Sequence, residues 1–123
     1  MKAFFCENTQ GVKYADLIVM GLKRAETRNK HTLRQLIGER VAVVRTRKGK
    51  KPEVIGYITI SDAFWCKKED FGSYQNWHLV PPGSKYDATD SGKWLYVLEN
   101  PETCMPYELP SNAVRHGYSW CEF

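Results

Sequence analysis

The chain has 123 residues, 42% of them apolar and 26% charged. That is enough to bury a core without metal or disulfide support, and it excludes a disordered or low-complexity protein. The net charge of +4 is unevenly distributed: residues 1–51 carry 13 Lys/Arg against 4 Asp/Glu, and residues 52–123 carry 5 against 10. A basic first half favours an anionic partner, nucleic acid being the commonest, unless the fold interleaves the halves and mixes the charges.

In chain order, Lys2 to Cys6 reads as a short apolar strand. Asn8 or Thr9 can cap a following helix, since their side-chain oxygens accept from free amides at a helix start. Tyr14, Leu17 and Ile18 fall at i, i+3 and i+4 and form its apolar face, which Gly21 ends. Residues 23–30 alternate as an extended segment, and Thr32 to Ile37 suit a helical turn stopped by Gly38. Arg40 to Arg45 and Glu53 to Ile60 are β-rich and pair as a hairpin around the charged tip 47–52, with Gly56 marking a bulge or a bend. Lys67 to Tyr74 suits a short helix, and 80–93 is turn-rich. Trp94 to Glu99 is a strand broken by Asn100-Pro101; Met105 to Leu109 and the tail SWCEF are two further short strands. Several short strands with few helices predict an α+β protein built on a small barrel.

No apolar run approaches the length of a membrane span, and MKAFFCENTQ is too short for a signal-peptide core. No linker or repeat divides the chain, so one cytoplasmic domain over 1–123 is expected. Cys6, Cys66, Cys104 and Cys121 form no CxxC pair, and His31, His78 and His116 lack ligand spacing. Free thiols are expected, with no metal and no cofactor.

The segment DLIVMGLKRAETRNK resembles the signature of the ASCH domain, in which a helix ends at a glycine and runs into G-x-K-x-x-E-x-R; here those residues are Gly21, Lys23, Glu26 and Arg28. The downstream order GERVAVV, VIGYITISDA and KWLYVLENP also agrees, so the resemblance covers most of the chain. It implies a PUA-like mixed β-barrel flanked by short helices. It also implies either a module binding RNA or a nucleoside- or nucleotide-like ligand, or an enzyme on such substrates. One bacterial branch hydrolyses acetylcytidine; Lys23 matches its catalytic lysine, whereas Glu26 stands where that branch has threonine. Glu69 is a weak candidate for its further glutamate.

Read without the family, Glu26 and Arg28 share one strand face by parity, and Lys23 joins them if the chain bends after Gly21. Spacing alone suits an ion pair pinning a turn; the resemblance favours a ligand cleft. The candidate ligand-binding residues are thus Lys23, Arg24, Glu26, Arg28 and Tyr86, with Tyr86 placed for base stacking in the loop. If the protein is an enzyme, an amidohydrolase or a ribonuclease, Lys23 is the activated base or nucleophile and Glu26 the proton shuttle. Arg45, Arg47, Lys48, Lys50 and Lys51 form either a phosphate-contacting finger or a solubilising turn. Phe64 and Trp65 line a cleft or pack, while Trp94 and Trp120 pack.

Overall fold

The computed structural model describes residues 1–9 and 11–123. Strand β1 (Lys2–Thr9) is followed by a two-residue return, β2 (Val12–Lys13), and helix α1 (Tyr14–Val19). The short β3 (Ala25–Arg28) leads through a 3-10 turn at Arg34–Leu36 into β4 (Arg40–Thr46) and the long β5 (Glu53–Lys67). Helix α2 (Lys68–Phe71), a 3-10 turn at Gly72–Tyr74 and α3 (Gln75–His78) follow. After a loop come the long β6 (Gly92–Glu108), β7 (Val114–His116) and β8 (Trp120–Glu122). No helix among the described residues is long and apolar enough to cross a membrane.

The strands form one mixed sheet in the order β3-β6-β5-β4-β1-β8-β7, with β2 paired to β1. β1 and β4 are parallel and every other pair is antiparallel. The expected mixed β fold with short helices is found, but its ladder does not close into a barrel: it stops at β3 on one side and β7 on the other. In place of a backbone ladder, the Arg28 side chain reaches from β3 to the Phe5 carbonyl of β1 at 2.6 Å. A guanidinium thus bridges the edge strand β3 to β1, and the cleft described below lies between these two strands.

Residues 3–6 are buried without alternation because β1 has a core on each side. Phe4 and Cys6 join Val41, Val43 and the apolar face of α1, while Ala3 and Phe5 join Ala42, Val44, Val54 and Cys121. Each apolar side chain on either face of β1 and β4 thus contributes burial, at about 25 cal/mol per Å² of apolar surface. Trp120 is buried as expected and stacks under His116 at 4.0 Å.

β5 and β6 run further than predicted because bulges absorb the breakers. Thr59 pairs with Glu99 and Tyr57 with Glu102, so Asn100 and Pro101 together face Ile58. A proline there owes the ladder no N–H, and Asn100 takes the positive φ of 54° that the bulge requires. Gly56 is needed for a different reason: a Cβ would lie 2.1 Å from the Glu102 carbonyl oxygen and 2.8 Å from Val19 Cγ1. Its lack of a side chain lets α1 and β6 close on β5. The N-cap position falls at Lys13, which makes no side-chain cap, so the expected cap at Asn8 or Thr9 is corrected; Asn8 instead reaches across from β1, its Oδ1 accepting from the Ala15 amide at 2.9 Å while its Nδ2 donates to Asp16.

Candidate ligand cleft

Helix α1 ends at Met20, and Gly21 takes φ 79°. The amides of Leu22 and Lys23 then both donate back to the Leu17 carbonyl, which folds the chain under the helix. This bend carries Lys23 inside, where only 1% of its surface is exposed. Its Nζ donates to the His78 carbonyl at 2.5 Å, lies 3.7 Å from Glu26 Oε1, and sits 5.0 Å from the Tyr14 ring centre. His78 presents that carbonyl because its ring is clamped. Val80 N donates to Nδ1 at 2.9 Å, so Nε2 keeps the proton and donates to Phe71 O, also at 2.9 Å. Burial holds this imidazole below its ordinary pKa, hence neutral.

Glu26 stands between two cations. Oε1 accepts from the Thr27 amide at 3.1 Å and faces Lys23, while Oε2 pairs with Arg28 Nη2 at 3.1 Å. Burial pushes this carboxyl up, but Arg28, Lys23 and the Thr27 amide outweigh it and hold the group below its ordinary value. Burial pushes the Lys23 ammonium down against the opposing pull of Glu26. The Cys6 thiol on β1 is raised by burial and then by Glu26.

These groups form one end of a cleft of about 260 Å³ between β1 and β3. Tyr14, Val80 and Tyr86 make its walls, with Glu7, Thr46 and Tyr118 at its border. The Tyr86 hydroxyl donates to Glu7, its ring meets Tyr14 edge-on at 5.7 Å, and its own carbonyl accepts from the buried Lys93 at 2.8 Å. The space is smaller than a typical drug-sized pocket.

Lys23, Glu26, Arg28 and Tyr86 thus meet in one cleft. Arg24 does not: it lies just before β3, where its amide donates to the Trp77 carbonyl at 2.8 Å, and its exposed guanidinium stacks on the Trp77 ring at 4.4 Å. Glu69 is exposed on α2 and Phe64 packs on Tyr74, both outside the lining. Trp65 lies edge-on to Trp94, which is half-buried beneath His31 at 3.9 Å.

The basic tip is partly neutralised. Arg45 pairs with Asp16 and Glu53, Arg47 with Glu53, and Lys51 approaches Glu108 at 4.0 Å. Lys48 and Lys50 are exposed. Arg45, Arg47 and Lys48 line a shallow hollow with Asn8 and Thr9, continuing along β1 from Glu7 at the cleft.

Cys6, Tyr14, Val80 and Tyr118 were not legible as cleft residues. Tyr14 carried only a helix-face signal, and the others reach the site through pairing between distant segments. Among the described residues no three His, Cys, Asp or Glu side chains gather into a metal-binding group.

No protein-family model and no curated protein matches the sequence. Solved structures do. The ASCH protein of Zymomonas mobilis matches with a TM-score of 0.69 over 87% of this chain and 73% of that one, at 18% identity. A tyrosine-to-phenylalanine variant of it gives 0.69 over 89% and 77% at 19% identity, and a serine-to-alanine variant gives 0.68 over 86% and 73% at 18%. At such identities the likeness is one of fold, a mixed sheet with a few short helices.

Proposed function

We propose that this chain, which has the ASCH fold, binds the nucleoside part of a small ligand or of an RNA in the cleft around Lys23, Glu26 and Arg28. One observation carries the reading: a carboxylate kept ionised between two cations at the inner end of a nucleoside-sized space walled by tyrosines. An ionised Glu26 accepts from an exocyclic amine or ring N–H, Arg28 and Lys23 donate to carbonyl oxygens, and Tyr86 offers a ring edge or face. Buried polar groups of this kind discriminate strongly, because a ligand lacking the matching group leaves them unpaired.

Calorimetric titration with cytidine and acetylcytidine tests this. The wild type binds at least one of them, and Glu26→Gln and Lys23→Ala each weaken binding by about tenfold or more. Equal affinity in all three proteins overturns the reading.

A second reading has its own support in the burial of Lys23, which lowers the pKa of an amine that already faces a carboxylate. In an amidohydrolase, Lys23 takes a proton from water as the water attacks the acyl carbon. Glu26, ionised at rest, accepts that proton from Lys23 and passes it to the exocyclic nitrogen as the C–N bond breaks, giving the free amine and acetic acid, which ionises to acetate. Chromatography of acetylcytidine incubated with wild type and with Lys23→Ala decides it: turnover lost in the variant supports hydrolysis, and turnover retained rejects this mechanism.

A further inference from the structure

We propose that Tyr118 is a ligand-contacting residue whose ring stacks on the planar base held in the cleft, so that the site selects flat aromatic ligands. This rests on the reading of the cleft as a nucleoside site and adds the group that recognises the ring.

Tyr118 occupies the tip of the β7–β8 hairpin, where Gly117 takes φ 65° to close the turn. The hairpin is held firmly on both flanks. β8 pairs with β1 from Lys2↔Glu122 to Phe4↔Trp120, and the Phe5 amide donates to the Ser119 carbonyl at 3.0 Å. His116 stacks on Trp120, and the Arg115 guanidinium sits 4.6 Å from the Phe5 ring centre. The same Phe5 offers its carbonyl to Arg28. One residue of β1 therefore ties the hairpin tip and the cleft's guanidinium to each other, and the backbone beneath Tyr118 has little freedom.

The side chain itself is treated differently from its neighbours. Tyr118 borders the cleft yet keeps 95% of its surface exposed. Burying almost nothing, it adds almost nothing to stability by the area rule. A large aromatic ring on a fixed support at the border of a nucleoside-sized space, with no packing duty, is placed to cover a ligand. Base–aromatic stacking tolerates any base, because every base has a π-face. Glu26 and Arg28 then read the base edge while Tyr118 reads its flatness.

The experiment compares wild type, Tyr118→Ala and Tyr118→Phe by calorimetry with cytidine and acetylcytidine, with ribose 5-phosphate as a probe that lacks a base, and by thermal melting without ligand. The expected result is a loss of nucleoside affinity of about 5- to 150-fold in Tyr118→Ala, largely restored in Tyr118→Phe, with melting temperatures unchanged. Ribose 5-phosphate should respond equally weakly to all three proteins. Nucleoside affinity unchanged in Tyr118→Ala overturns this inference alone, because the cleft still binds. Absence of nucleoside binding by the wild type overturns the underlying reading and this inference with it.

Discussion

Burying a carboxylate and an ammonium together carries a desolvation cost that direct pairing alone rarely offsets. At Glu26 it is offset by three donors arriving from one strand and one turn: the Thr27 amide, Arg28 and Lys23. Since its folded pKa lies below the ordinary value of 4.5, the folded state holds fewer protons than the unfolded one between the two values. The stability it contributes is present above 4.5 and disappears as pH falls through the folded pKa. Chemical denaturation across the acid range should therefore show a loss for the wild type that Glu26→Gln lacks, while the variant is less stable at neutral pH by about 1–3 kcal/mol. Parallel pH profiles for the two proteins would contradict this. Lys23 works in the same sense by a different route. Its folded pKa is lowered from 10.5, so charging it opposes folding below the folded value, and stability recovers as pH rises toward 10.5. The parity of Glu26 and Arg28 was readable from alternation along the strand. The burial of Lys23 was not, since it depends on two amides folding back on Leu17 and on a carbonyl 55 residues away.

At the level of elements, bulges decide the architecture. β5 and β6 shift register at three places, between Val54 and Gly56, Tyr57 and Thr59, and Ile60 and Asp62, and these shifts let two long strands bend around the core. Gly56 is the tightest point. Gly56→Ala should lower stability by about 2 kcal/mol or more, a drop in melting temperature on the order of 10 °C, because the new methyl meets backbone as well as Val19. A melting temperature equal to wild type would mean that β6 can yield there. Helix α1 has only six residues, too few to stand alone, so the bond from its Ala15 amide to Asn8 on β1 matters. Asn8→Ala should cost about 1 kcal/mol in denaturation experiments and should loosen the helix that delivers Gly21 and Lys23 to the cleft. Strand propensity located β4, the first part of β5 and the first part of β6. The strand-breaking force of Asn100-Pro101 was over-read, because only the opposing strand reveals whether a proline faces a bulge.

Across the whole molecule, the basic first half and the acidic second half are stitched together. Arg45 and Arg47 meet Glu53, Arg40 meets Glu102, and Lys51 approaches Glu108. Charge polarity along the chain thus becomes pairing between adjacent strands, leaving Lys48 and Lys50 as exposed cations at the hairpin tip. Mononucleoside binding in the cleft should accordingly be insensitive to replacing both lysines with alanine. For a single-stranded RNA, whose log K falls by roughly 0.7 per neutralised phosphate for each unit of log salt, the double replacement should flatten the salt slope by about 1–2. A slope unchanged by the replacement would show that the tip takes no part in RNA binding.

Local chemistry was legible in the order of residues: alternation along 23–28, branched side chains in β4, a glycine where α1 must turn, and the motif that resembles ASCH. Such signals act over a few residues, and each repeats with the period of its own element. The open ends of the sheet, the pairing of the basic tip, and the presence of Cys6, Val80 and Tyr118 at one cleft were settled by tertiary structure. Each depends on which distant strand a residue faces, and strand pairing is a balance of bulges, burial and hydrogen bonding that no local window contains.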